Sequence, residues 1–315
     1  MWREIGVVLG TLVVMFWNVE NYFDPFDDPL KNDNEFTAAA ERRWSWARFE
    51  RKRDGLAQAI VAAGDVWGGL PAMVGLAEVE NRTVVSQLVH KTMLEDLGYG
   101  FVHRESPDER GIDVALLYRK DVFRVVAVDS LRIPGFVTRD ILYVKFREMP
   151  GQAGHDAEGL RAGLPRVGEE PLLHVFVVHL PSKRGGARAS DSRREAALGV
   201  LQGAVDSLLR EDSERRIVVM GDFNDTDPVV TGLVPPPLDG TPATPGTLKY
   251  HGRWEQIDHF FLSPAVEGSM QVFAPGFLLE PDVAWLGEKP RRTYVGPRYN
   301  GGLSDHLPII LRLNL

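Results

Sequence analysis

Residues 216–224 read Arg-Ile-Val-Val-Met-Gly-Asp-Phe-Asn, a run of buried-strand character that stops on an acid and an amide. The β-branched and apolar residues Ile217 to Met220 suit a strand covered on both faces. Alternate residues of an extended chain share a face, so Asp222 and Asn224 point together while Phe223 turns into the core. Taken alone, Asp-Phe-Asn reads equally as a turn with an Asx cap. The same ending recurs elsewhere. Thr11–Trp17 (TLVVMFW) runs into Asn18 and Glu20, Pro71–Glu78 (PAMVGLAE) stops on Glu78, and Leu172–His179 (LLHVFVVH) stops on His179. Asp258 lies in the strand Ile257–Ser263, and Asp305-His306 precede the strand Pro308–Leu313. Strand ends are where loops build sites on a rigid frame.

Helical patterns separate some of these strands. Ala38–Ala63 places Phe49, Leu56, Ile60 and Val61 on one face, with Arg42, Arg43, Arg51 and Lys52 largely on another. Thr83–Leu97 is an amphipathic helix closed by Gly98, and Ala187–Arg210 is a third helix. The strands Phe101–His103, Asp113–Tyr118, Phe123–Asp129 and Ile141–Phe146 follow one another without helices. Asp24–Asn34, Pro150–Pro171 and Pro228–Gly246 are irregular, the second as an extended hairpin loop. Runs of strands with a few outer helices predict two sheets packed face to face under helical layers. No shift of composition marks a boundary, so one domain is expected over residues 11–315, with residues 1–10 as a short extension.

A chain of 315 residues buries a large core without staples, and 44% hydrophobic with 25% charged residues excludes disordered and collagen-like classes. The absence of cysteine excludes disulfides, thiolate zinc sites, iron–sulfur clusters and a cysteine nucleophile. Thirty-six Lys and Arg against 44 Asp and Glu give a net charge of −8, so no strongly basic phosphate-binding surface is expected. Ile5–Trp17 has the length of a signal-peptide apolar core, but Glu4 follows Arg3 and no small-x-small cleavage site follows. No cleavable leader is expected, and the compartment stays open.

If the strand ends share one rim, they form a pocket rich in hard oxygen donors with two histidines. Such donors select Mg²⁺, with Mn²⁺ or Ca²⁺ as alternatives, and a sparse set that leaves waters on the ion favours Mg²⁺. Glu78 ends a buried strand, and ionised carboxylates are seldom buried without a partner or metal. Other readings stand beside this one. His179 also reads as a satisfied core histidine, Asp305-His306 as an exposed loop pair, and His103, His174 and His251 as ordinary histidines.

The wording and order of seven segments carry more. FWNVENYFD, LAEVEN, ERGIDVALLY, VVHLPSKRGG, VMGDFND, QIDHFFLS and LSDHLPI, from Phe16 to Ile309, resemble the endonuclease/exonuclease/phosphatase superfamily. That group includes pancreatic deoxyribonuclease, abasic-site endonucleases, bacterial sphingomyelinases and inositol-polyphosphate 5-phosphatases. The resemblance implies a four-layer α/β/β/α sandwich and divalent-metal phosphoester hydrolysis. It implies Glu78 as metal ligand, with Asn18 beside it on the metal's water or the phosphate, and Asp305 and Glu20 as further metal candidates. It also implies Asp222 as the group that orients or deprotonates water, Asn224 on the scissile phosphate, and His306 polarised by Asp258. His179 matches a second histidine of deoxyribonuclease-type members, placed to protonate the leaving alkoxide. Arg139 matches a phosphate-clamping arginine; a surface arginine pairing near Asp140 is the other reading.

A nuclease cleaving DNA is the first expectation for the substrate, with Arg139, Lys183, Arg184 and Arg188 as a local basic rim. A lipid or small-molecule phosphoesterase is the alternative, with Trp44, Trp46, Trp254, Tyr294 and Tyr299 as candidate aromatic contacts. A binding module of the same family is disfavoured by the intact acid, amide and histidine set. The expected partner is a nucleic-acid substrate, with no membrane and a monomeric state.

Overall fold

Two apolar runs, one early and one past the middle of the chain, each pair in parallel with a second buried strand and so become the centres of two sheets. The computed structural model describes residues 11–149, 172–182 and 187–314. The strands are β1 (Thr11–Tyr22), β2 (Met73–Val79), β3 (Tyr99–His103), β4 (Asp113–Arg119), β5 (Phe123–Leu131) and β6 (Ile141–Glu148). They continue with β7 (Leu172–His179), β8 (Arg216–Asp222), β9 (Leu248–Tyr250), β10 (Arg253–Glu255), β11 (Asp258–Leu262) and β12 (Glu267–Val272). The last five are β13 (Leu279–Pro281), β14 (Glu288–Pro290), β15 (Tyr294–Val295), β16 (Arg298–Tyr299) and β17 (Ile309–Asn314). Helices α1 (Trp46–Trp67), α2 (Arg82–His90) and α3 (Ala187–Glu211) accompany them.

The first sheet has the order β12-β17-β1-β2-β4-β3, with only β1 and β2 parallel. The second has the order β11-β8-β7-β6-β5, with only β7 and β8 parallel. Side-chain alternation fixes the layers. Leu173, Val175 and Val177 of β7 and Val218 and Met220 of β8 face the core shared with the first sheet and with α1 and α2. Phe176, Val178, Ile217 and Val219 turn the other way, onto Ala197, Leu201 and Val205 of α3. The result is the expected four-layer α/β/β/α sandwich.

Several boundaries differ from the sequence reading. β1 runs on to Tyr22, because it stays paired with β2 through Asn18 and, after an irregularity, at Tyr22 opposite Val79. α1 starts at Trp46, not Ala38, since Arg43 takes a positive φ of 49° and Ser45 is extended. Phe49, Leu56 and Ile60 are buried as expected, but so is Lys52. α2 stops at His90, and the chain then turns to Gly98 at φ 78°. Residues 248–299 contain three short hairpins the sequence reading did not foresee. The segment Pro150–Pro171 lies outside the described residues.

The parallel pairs determine where a site forms. β1 and β2 end at one rim, as do β7 and β8 of the facing sheet. Antiparallel β11 and β17 begin there, with Asp258 opposite Asp222 and Ile309 opposite Phe16.

Candidate active site

Asp222 stands at the centre of this rim. It ends β8 opposite His179 on one side and Asp258 on the other. Its Oδ2 accepts a 3.0 Å hydrogen bond from Asn18 Nδ2, which joins the two sheets, and lies 3.7 Å from His179 Nε2 and 3.9 Å from His306 Nε2. His179 Nε2 is also 3.9 Å from Glu78 Oε1. Residues from six separate stretches of chain therefore meet, and Asn18, His179, Asp222 and Asp258 are almost fully buried.

Each is held by its neighbours. Ser304 Oγ donates to the Asn18 carbonyl at 2.6 Å and accepts from the His306 amide at 3.0 Å, while Trp17 Nε1 donates to the His306 carbonyl at 2.9 Å. His306 Nδ1 lies 2.9 Å from Asp258 Oδ2, the oxygen that also accepts from Thr247 Oγ1. Glu78 Oε2 accepts from the Asn21 amide at 2.8 Å. Asn224 donates from Nδ2 to the Leu180 carbonyl at 2.9 Å, and its amide donates to Asp222 Oδ1 at 2.9 Å. Glu20, Asn21, Glu78 and Asn224 have φ of 47°, 53°, 62° and 51°, left-handed backbone at non-glycine residues. Such strain persists where the surrounding structure enforces it, and it gathers at functional sites.

The electrostatics sort the two imidazoles. Burial pushes His306 down, but Asp258, Asp222 and Asp305 outweigh it and hold the ring well above the ordinary histidine range. Burial pushes His179 well below that range, with Arg139, Arg110 and His306 adding to the effect. Burial, reinforced by Asp258, raises the Asp222 carboxyl to about 7 against the opposing pull of His306. One rim thus carries a cationic imidazole, a neutral one and a carboxyl poised near neutrality. Groups pushed apart in this way divide the acid and base roles between them.

Glu20 and Asp305 belong to an adjoining network. Arg292 bridges them, with Nε 3.1 Å from Glu20 Oε1 and Nη2 2.8 Å from Asp305 Oδ2. The Thr293 amide donates to Glu20 Oε2 at 2.7 Å, and buried Lys52 donates to the Glu20 carbonyl and to Thr293 Oγ1. Their carboxylates thus bind a guanidinium. Arg139 is not on the surface, and Asp140 pairs instead with Arg132 at 3.0 Å. Arg139 reaches Asp108 at 3.1 Å and the His179 and Leu180 carbonyls at 3.3 and 3.0 Å, so it braces the end of β7 from behind. Lys183 and Arg184 lie outside the described residues. The sequence reading missed Arg110, Thr247, Ser304, Lys52 and Arg292. Arg110 lies within the quoted ERGIDVALLY segment, and its Nη2 donates to Asn21 Oδ1 at 2.8 Å, 3.9 Å from Glu78 Oε2.

A family model described as Endonuclease/Exonuclease/phosphatase family matches residues 13–153, 166–233 and 241–315. The chain belongs to that family. Endonuclease/exonuclease/phosphatase proteins are hydrolases of phosphoester bonds that use divalent metals. Solved structures share the fold at low identity. Truncated TDP2 from Caenorhabditis elegans aligns at TM-score 0.58 with 16% identity, over 97% of this chain and 98% of that one. The Bacteroides thetaiotaomicron mannosyl-6-phosphatase Bt3783 aligns at TM-score 0.57 with 16% identity, over 96% and 100%. The human Nocturnin catalytic domain with bound sulfate aligns at TM-score 0.56 with 16% identity, over 98% and 94%. No curated protein matches the sequence.

The side chains of this endonuclease/exonuclease/phosphatase member fit a divalent cation. Glu78 and Asp222 offer hard carboxylate oxygens on either side of one neutral imidazole, while Asn18 turns its Nδ2 to Asp222 and its oxygen to the Glu20 amide. The cationic side chains nearby have other partners: Arg110, 3.9 Å from Glu78, donates to Asn21, Lys52 to Glu20 and Thr293, and Arg292 bridges Glu20 and Asp305.

Proposed function

We propose that this chain is a divalent-cation-dependent phosphodiesterase whose substrate is DNA. The observation that carries the reading is Asp222, placed between a cationic and a neutral imidazole and beside Glu78. Hydrolysis needs a water aligned on phosphorus, neutralised phosphoryl oxygens and a proton for the leaving oxygen. Asp222, with a carboxyl near 7, accepts the proton of the attacking water. His306 donates from Nε2 to a phosphoryl oxygen, while its Nδ1–H donates to the Asp258 carboxylate. Asn224, one residue beyond Phe223, steadies the phosphate. Glu78 would hold the cation, and a divalent ion bound there supplies Lewis-acid stabilisation of the developing charge. Burial alters the part expected of His179. A neutral imidazole donates one N–H and orients its neighbours, but it is a weak proton source for an alkoxide, so the leaving oxygen takes its proton from solvent water.

A second reading has its own support. Arg139, expected to clamp a phosphate, faces Asp108 and two carbonyls, and the chain carries a net charge of −8. Both favour a small phosphoester over a long polyanion, and a mannosyl-6-phosphatase has the same fold. Plasmid nicking assayed beside bis-p-nitrophenyl phosphate, sphingomyelin and a sugar phosphate separates the readings. The DNA reading expects nicking that requires Mg²⁺ or Mn²⁺ and stops with EDTA. Turnover of the sugar phosphate or the lipid with DNA untouched would reject it.

A further inference from the structure

A second cluster of ligating side chains lies where β3 ends and β4 begins. His103 closes β3, Asp113 opens β4 opposite Val79, and Glu105 stands two residues beyond His103. His103 Nε2 is 3.3 Å from Asp113 Oδ2, and Nδ1 is 3.7 Å from Glu105 Oε1. One donor atom from each of the three lies within 4.8 Å of the others. A separate observation points to a ligand. His103 is 6% exposed, and its Nε2, aimed at Asp113, makes no hydrogen bond. A buried ring nitrogen held beside a carboxylate without a hydrogen bond is uncommon and calls for an explanation.

We propose that His103, Glu105 and Asp113 form a second cation site, for a divalent transition metal of the Zn²⁺ or Mn²⁺ class. One imidazole and two carboxylates match those ions, whereas Mg²⁺ keeps oxygen ligands and Ca²⁺ takes six to eight oxygens. Three protein ligands leave a position for water, as in zinc sites that are not closed. The approach is also built. Glu105 lines a cavity of about 120 Å³ together with Asp24, Asp27, Asp28, Glu80 and Asn81, and acid-lined clefts concentrate cations. The one lysine in that wall, Lys31, donates to the Ser106 and Asp108 carbonyls.

An ion there would tie down residues 104–112. The Ser106 amide already donates to Asp113 Oδ1 at 3.0 Å, Asp108 holds Arg139, and Arg110 holds Asn21 beside Glu78. The site is thus a structural support for the catalytic rim and separate from it.

Metal counting on the full chain tests this without reference to turnover. Metal-depleted Glu78→Gln protein, with the catalytic glutamate removed, is dialysed against Zn²⁺ alone and the bound ion measured by mass spectrometry. One Zn²⁺ per chain is expected, lost when His103→Gln is added. Glu105→Ala, at an exposed position that leaves the core intact, should weaken Zn²⁺ binding at least ~10-fold, since even outer partners of a metal matter that much. The Glu105→Ala result decides the matter if the His103 variant fails to fold. No Zn²⁺ on Glu78→Gln, or binding unchanged by Glu105→Ala, would overturn the proposal and leave His103 as an ion-paired core histidine.

Discussion

One oxygen of Asp258 faces both the His306 ring and the Thr247 hydroxyl, which favours the charge and fixes the tilt of that imidazole. Asp258→Asn keeps the shape but not the charge. We expect kcat to fall ~10²–10⁴-fold, with KM and melting temperature little changed; a drop confined to KM would remove Asp258 from the chemistry. A histidine far from the rim contributes to acid stability. Burial, aided by Arg215 and Lys145, holds His174 down at about 4, so the folded protein keeps it neutral while the unfolded chain titrates near 6.5. As pH falls, the unfolded chain takes the proton first. The stability linked to His174 is intact above about 6.5 and is lost between there and about 4, by up to ~1.4 kcal/mol per pH unit. His174→Gln should flatten this decline, read as the difference in urea midpoint between pH 7 and pH 5. Residue roles were legible only in part. Asp222, Glu78 and His179 could be marked because each ends a buried run. The direction of a guanidinium could not, since Arg139 and Arg110 are set by loops that are remote in sequence.

Among the elements, the parallel β7–β8 pair carries the tightest constraint. A Cβ on Gly221 would meet Val178 Cγ2 and the Val178 carbonyl, both at 2.3 Å. Gly221→Ala should therefore cost ~1–3 kcal/mol in denaturant titration and displace Asp222. At Gly75 the nearest atom is Met220 Sδ, the end of a flexible side chain, so Gly75→Ala should cost less. A larger loss at Gly75 would contradict this account of the packing. α1 makes its own contribution through Lys52, whose amine reaches the Glu20 carbonyl and Thr293. Lys52→Met leaves the buried Glu20 carbonyl and Thr293 hydroxyl without this donor and should destabilise the chain by ~1–3 kcal/mol. The helical period of α1 was readable from Phe49, Leu56 and Ile60, but its start was not. The left-handed Arg43 ends the expected pattern, with its amide bonded to the Ala40 carbonyl in a local turn. The hairpins between residues 248 and 299 have strands of two or three residues, too short for any periodicity.

At the scale of the whole molecule, two sheets each bring a parallel pair to the same rim, and Asn18 spans the gap to Asp222. The two layers and a rim of polar strand ends could be read from the sequence, whereas the parallel pairing and the Asn18 bridge depend on strand order and could not. Substrate choice could not, since it depends on the surface around the rim and not on the strands that build it. Among the described residues no helix is long and apolar enough to cross a membrane. Chelation should abolish hydrolysis, with recovery on adding Mg²⁺ or Mn²⁺, and a saturating cation should raise the melting temperature by mass action. The central claim is that Asp222 and His306 act in one centre, and a double-mutant cycle on bis-p-nitrophenyl phosphate turnover with saturating Mg²⁺ tests it most directly. Asp222→Ala and His306→Ala should each lower kcat/KM ~10²–10⁴-fold, and the double variant should fall little further than the worse single one. Losses that multiply, or full activity in either single variant, would contradict it.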